Sequence, residues 1–216
     1  MSVELQLRSI VLITGRVGPH CAEDIQQTSC ILSLFGPQRT SVFGAESDRL
    51  ISSMPVELKG SCHCGAVKFS LLSSTPVPYQ LCVCSICRKV GGVGGSINLG
   101  GHSETLKVEG KENISVYKAV MGRDTPQQTI ASSERNFCKK CSSMLWLYDE
   151  QWPELIHPFA SAIDSPELEV PETMTVCLVS SKPAYVRLPE GDKKVYKKYG
   201  PYSLEEWHKK HNLYKA

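Results

Sequence analysis

The chain has 216 residues, 41% hydrophobic and 21% charged, with a formal net charge of +2. Such a composition suits one compact domain with a tail. So small a charge gives no electrostatic footprint for nucleic acid, and the absence of a run of about 18 apolar residues argues against a membrane span. Residues 1–53 carry apolar stretches such as Ile10-Val11-Leu12-Ile13 and Ile31-Leu32-Ser33-Leu34-Phe35, without a sustained period or a chemical motif. The N-terminus lacks the basic region, apolar core and small-residue cleavage site of a secretory signal. Glu4, Glu23, Asp24, Glu46 and Asp48 argue against an organelle-targeting peptide, since such peptides are poor in acid. The expectation is a loosely ordered extension, or sequence upstream of the natural start.

Residues 54–190 read as a β-rich domain that opens at Met54-Pro55-Val56-Glu57. Alternation of apolar and polar residues over 66–71 predicts a half-buried strand, broken at Ser74-Thr75-Pro76-Val77-Pro78. Further strands are predicted over 96–99, 106–108, 114–117, 144–148 and 173–179, with a turn at Gly110-Lys111-Glu112-Asn113. The glycine run Gly91-Gly92-Val93-Gly94-Gly95 lacks the Gly-Lys-Ser/Thr ending of a phosphate loop. It reads instead as a flexible loop whose small residues leave room for a ligand's approach. In the basic segment 191–216, Ser203-Leu204-Glu205-Glu206 is a capping box that opens a helix. The histidines of that helix, His208 and His211, and the pairs Lys193-Lys194 and Lys197-Lys198 are expected to be solvated.

Cysteine spacing carries the chemistry. Seven of the ten cysteines fall in three clusters: Cys62-His63-Cys64, Cys82-Val83-Cys84-Ser85-Ile86-Cys87 and Cys138-Lys139-Lys140-Cys141. Side chains at i and i+2 of an extended strand share a face, with Cα atoms roughly 6.5–7 Å apart. Two sulfurs can then meet one zinc at about 2.3 Å. Cys62 with Cys64, and Cys82 with Cys84, fit that geometry, and His63 should face away. The pairs Cys84/Cys87 and Cys138/Cys141 fit tight turns with converging sulfurs. Zinc takes four ligands in a closed structural site and three protein ligands where one position stays open. Seven thiols divide as four plus three. A disulfide framework is the competing reading, disfavoured because no secretory signal places the chain in an oxidising compartment. A redox CxxC at Cys84/Cys87 leaves Cys82 unexplained. Cys21, Cys30 and Cys177 follow no ligand spacing and read as buried or incidental thiols.

The stretches Gly60-Ser61-Cys62-His63-Cys64-Gly65-Ala66-Val67, Cys82-Val83-Cys84-Ser85-Ile86-Cys87-Arg88-Lys89 and Phe137-Cys138-Lys139-Lys140-Cys141 resemble, in order and spacing, the signature of the glutathione-dependent formaldehyde-activating enzyme family. Centromere protein V shares this domain. The resemblance covers residues 55–185, and the Trp207-His208-Lys209 helix is similar to that of fungal members. Ser142 departs from the glycine that many members carry. The resemblance implies a mainly β, β-tent fold of small antiparallel sheets built around zinc. It implies two zinc ions: Cys62, Cys64, Cys138 and Cys141 in the closed site, and Cys82, Cys84 and Cys87 in the open one.

It also implies a zinc-dependent carbon–sulfur lyase that forms or cleaves S-(hydroxymethyl)glutathione from glutathione and formaldehyde. A three-thiolate site can take up a thiol and hold it as the nucleophilic thiolate. Three thiolates also make zinc a weaker Lewis acid, so binding and orienting the thiol is the expected role. Arg88 and Lys89 adjoin the cluster as candidate glutathione contacts. His102 and His157 are the nearest candidates for a general acid or base, and both also read as structural. Two other readings stand: a non-catalytic glutathione- or zinc-binding carrier, and a chromatin or protein-interaction module. A module of the second kind predicts a basic extension, and residues 1–53 carry few clustered Lys or Arg. The expected compartment is the cytoplasm or nucleus, with small-molecule thiol and aldehyde partners and no membrane.

Overall fold

The computed structural model describes residues 53–92 and 94–216. The expectations for the N-terminal extension, including Cys21 and Cys30, lie outside the described residues. The fold is mainly β, arranged in three small sheets. The first has the order β11 (Ile163–Ser165), β1 (Val56–Ser61), β2 (Lys68–Ser73) and β6 (Lys107–Glu109), all antiparallel. The second runs β5 (Gly101–His102), β10 (Leu155–Pro158), β9 (Met144–Tyr148), β8 (Thr129–Cys138) and β7 (Ile114–Met121), again antiparallel. The third, β13 (Lys193–Val195), β12 (Met174–Cys177), β3 (Gln80–Cys82) and β4 (Ser96–Ile97), is mixed. In it β12 lies parallel to both β13 and β3.

The alternation that predicts β2 sets its face correctly: Val67, Phe69 and Leu71 are buried while Lys68 is exposed. These residues join Leu58, Leu145, Trp146, Ile156 and Phe159 in one core shared by the first two sheets. Phe69 meets Trp146 edge to face at 5.2 Å between ring centroids. Each fully buried side chain of this size contributes about 1.5–3 kcal/mol. The third sheet has its own smaller core of Leu81, Val83 and Val176.

Two helices complete the described part: α1 (Ser85–Gly91), which follows β3, and α2 (Leu204–Lys210) near the C-terminus. The capping box at Ser203 and Glu206 is present in both directions. Trp207 stacks on Tyr79 with centroids 3.8 Å apart and planes 5° from parallel. The expectation of solvated histidines fails at His208, which is fully buried. Its Nε2 accepts the Val77 N–H at 3.0 Å, and its Nδ1 bonds the Leu204 carbonyl at 2.7 Å. A lysine-rich helix hides one inward face, and the partner of that face lies far back in the chain. The basic segment 191–216 thus supplies β13 to the third sheet and α2 to the Tyr79 cluster. None of the helices among the described residues is long and apolar enough to cross a membrane.

Candidate metal centres

The end of β1, the turn before β2 and the end of β8 bring four thiols together. The Sγ atoms of Cys62, Cys64, Cys138 and Cys141 all lie within 4.8 Å of one another. Cys62 and Cys64 are 3.6 Å apart at sulfur, and Cys64 and Cys138 3.8 Å. Two sulfurs bound to one tetrahedral zinc lie about 3.8 Å apart, so the donor set fits the ion. The first pair is not on an extended strand as the spacing suggests. It occupies the β1–β2 turn, where the Gly65 N–H donates to the Cys62 carbonyl at 2.9 Å. The second pair closes a turn at the end of β8, with the Ser142 N–H on the Cys138 carbonyl at 2.7 Å. Ser142 sits there at φ +63°, a left-handed conformation that costs a residue with a Cβ and that glycine enters freely. The glycine expected here from the resemblance would relieve that backbone cost. His63 is exposed and stands outside the cluster.

Neighbouring donors favour the ionised form of Cys62 and Cys141, whereas contact with Cys141 and burial push Cys64 up to about 11. The Val67 N–H donates to Cys62 Sγ at 3.2 Å. The Ser143 side chain and backbone, with the Cys64 backbone, hold the Cys141 thiol down at about 5. A hydrogen bond to the charged form is the general cause of such a shift.

The second cluster joins Cys82, Cys84 and Cys87, again within 4.8 Å at sulfur. Cys82 ends β3. Cys84 is the N-cap of α1, its sulfur accepting the Cys87 N–H at 3.3 Å. The CxxC pair is therefore the first turn of a helix rather than a free turn. Hydrogen bonds from the Cys82 and Cys87 thiols, with the Cys87 and Ile86 N–H groups, push Cys84 far down. Cys82 is pushed up by contacts with Cys177 and Cys84, and Cys87 by contacts with Cys82 and Cys84. Three sulfurs this close cannot all carry charge without a cation, whereas a bound dication deprotonates them together. The eight described cysteines are all free thiols, so the disulfide framework is not formed among them.

This cluster opens on a cleft of about 580 Å³, also lined by Gln80, Asn98, Arg135, Leu147 and Tyr199. That volume lies within the range of about 300–1,000 Å³ common for small-molecule sites. The glycine run beside it has a second use. A Cβ on Gly95 would lie 2.2 Å from the Cys82 carbonyl oxygen, so this glycine makes room for the backbone of a cysteine rather than for a ligand.

The sequence model of the glutathione-dependent formaldehyde-activating enzyme family matches residues 57–180. The chain belongs to this family. A Halomonas elongata protein with the provisional name glutathione-dependent formaldehyde-activating enzyme is 45% identical over 154 residues, covering 70% of this chain and 94% of the relative. A Rhodobacter sphaeroides protein of known crystal structure is 27% identical, covering 52% of this chain and 97% of its own, with a TM-score of 0.39.

Around the two clusters, the other residues singled out by sequence take distinct places. Arg88 is committed to the scaffold: Nε donates to the Val83 carbonyl at 2.9 Å and Nη2 to the Ser181 carbonyl at 2.8 Å. Lys89 is exposed. His157 bonds the Leu99 carbonyl through Nδ1 at 3.2 Å, and burial pushes its pKa down. His102 Nε2 pairs with Ser74 Oγ at 2.9 Å. Neither histidine lines the three-cysteine cleft. Cys177 is buried, as expected, and is the register partner of Cys82 across the parallel β12–β3 ladder. Sequence reasoning missed Arg135, Gln80 and Tyr199. The arginine lies three residues before Cys138, and that proximity to a cysteine motif is the only signal.

Proposed function

We propose that the Cys82–Cys84–Cys87 cleft joins glutathione to formaldehyde, giving S-(hydroxymethyl)glutathione, and cleaves the same carbon–sulfur bond in reverse. The observation that carries this reading is three convergent thiols lining a ligand-sized cleft in a chain of the glutathione-dependent formaldehyde-activating family. In the forward direction the glutathione sulfur, having lost its proton, forms the C–S bond to the aldehyde carbon. The carbonyl π pair passes to oxygen, which takes a proton from water. Zinc held by Cys82, Cys84 and Cys87 would keep an incoming thiol in its thiolate form at neutral pH.

The chain's own residues fix the geometry of this step. The β3 ladder sets Cys82 against β12 and β4, and the first turn of α1 sets Cys84 and Cys87. Two Arg88 hydrogen bonds tie that helix to the Val83 and Ser181 carbonyls. The cleft walls present amide, hydroxyl and apolar groups to the body of the thiol. Cys62, Cys64, Cys138 and Cys141 would hold a second zinc that clips the β1–β2 turn to the end of β8. Residues 54–190 would carry both cysteine sets, and 191–216 adds β13 to the third sheet and Tyr199 and Leu204 to the cleft wall. Unpaired, convergent thiols favour a reducing compartment such as the cytoplasm.

The test is exchange NMR of glutathione and formaldehyde at equilibrium with their adduct, with and without micromolar zinc-loaded protein. Exchange should quicken in proportion to protein and return to background in Cys84→Ser. Exchange no faster than the uncatalysed rate would refute turnover.

A further inference from the structure

The cleft beside the three cysteines holds a cation that the protein itself leaves unanswered. Arg135 lies in β8, in register with Tyr117 of β7 and Leu147 of β9, and is only 7% exposed. Its Nη1 donates to Ser133 Oγ at 3.3 Å, and its Nε has no hydrogen-bond partner. Among the described residues it makes no ion pair, and its neighbour Glu134 pairs instead with Lys118. Among the described residues, Arg135 is the one Arg or Lys lining this cleft, and no Asp or Glu lines it. Ser96, whose side chain lies beside the Cys87 thiol, lines the same cleft.

Burying a guanidinium without an anion is costly, and proteins ordinarily pair or saturate it. Arg88 shows the usual solution in this fold, with two backbone carbonyls on its donors. Arg135 has a free N–H on a planar fork suited to bidentate recognition of a carboxylate. A thiol bound through sulfur alone would pivot, and a second attachment point would fix its direction.

We propose that Arg135 is the carboxylate anchor of this cleft, selecting carboxylate-bearing thiols such as glutathione over neutral thiols. The inference rests on the function proposed above and adds a specificity residue to it. Glutathione binds with its sulfur toward Cys82, Cys84 and Cys87 and one carboxylate on Arg135.

Calorimetric titration of the zinc-loaded full chain tests this with three probes: glutathione, glutathione diethyl ester and 2-mercaptoethanol. On the native protein, esterification should weaken binding about 10- to 100-fold, the usual worth of a charge-assisted hydrogen bond. Arg135→Gln should weaken glutathione by a similar factor and abolish the discrimination between acid and ester. Arg135→Lys should restore part of it. Because the ester comparison uses the native chain, a folding failure of the variants leaves the test standing. Equal affinity for glutathione and its diester on the native protein would overturn the inference. So would an Arg135→Gln protein that still discriminates, or one that loses zinc and nothing else, since the arginine would then serve only the thiolates. If none of the three thiols binds, the function proposed above falls with it.

Discussion

Replacing Gly95 with alanine probes how tightly the backbone around the three-cysteine cluster is closed. The added Cβ would stand 2.2 Å from the Cys82 carbonyl oxygen, 3.1 Å from its carbon and 3.2 Å from Val83 Cα. These are backbone atoms of β3 and its exit, held by ladders to β4 and β12, so they cannot swing aside as a side chain would. Gly95 also sits at φ +97°. The unfavourable backbone conformation costs about 1–2 kcal/mol, and overpacking about 1–3 kcal/mol. Stiffening of the unfolded chain returns about 0.4–1 kcal/mol. The net expectation for Gly95→Ala is a loss of about 2–4 kcal/mol, centred on Cys82. Gly94→Ala is the control, because its Cβ meets nothing within 4 Å and the change should stay within about 1 kcal/mol. Urea denaturation of the zinc-loaded proteins, with zinc content measured in parallel, reads both. Gly95→Ala should unfold at markedly lower urea and lose zinc first from the three-cysteine site. Identical midpoints and metal contents for the two variants would refute the reasoning.

Two further outcomes follow from the C-terminal packing. Trp207 is 7% exposed and stacked on Tyr79, so Trp207→Ala should cost about 3–5 kcal/mol; a loss below 1 kcal/mol in chemical denaturation would mean that α2 is dispensable. Burial lowers the pKa of both His208 and His157, so the unfolded chain binds more protons than the folded one as pH falls below the usual histidine value near 6.5. Their stabilisation is complete above about pH 6.5 and is lost below it, each at up to about 1.4 kcal/mol per pH unit. Stability measured from pH 7.5 to 5.5 should fall on the acid side, less steeply in His208→Gln, and a flat profile would contradict the burial argument.

What the sequence disclosed depended on the range of the interaction. Cysteine pairs separated by two or three residues stand out because local backbone geometry alone brings their sulfurs together. The joining of Cys62 and Cys64 to Cys138 and Cys141 is a tertiary fact that spacing does not carry, and only the family resemblance supplied it. Strand β2 was legible because one face is buried and the other wet. Strand β8 was not, since Thr129-Ile130-Ala131-Ser132-Ser133-Glu134-Arg135-Asn136-Phe137-Cys138 shows no apolar alternation. Ser132, Ser133 and Arg135 of this strand line the cleft, and Arg135 does not stand out among them. Lys193–Val195 looks like solvated sequence because β13 is a short edge strand with lysines on it. His208 looked solvated for the corresponding reason in a helix: its acceptor role belongs to Val77, 131 residues away.

The division of seven thiols into a fold-holding set and a substrate-facing set is tested most directly by zinc analysis of the purified chain and two variants, with folding followed by circular dichroism. The account predicts two zinc ions per native chain. Cys87→Ser should keep its fold with about one zinc, and Cys141→Ser should unfold, because a structural zinc site contributes folding energy outright. A native chain without zinc, or a Cys87→Ser protein that loses both ions and its fold together, would contradict it.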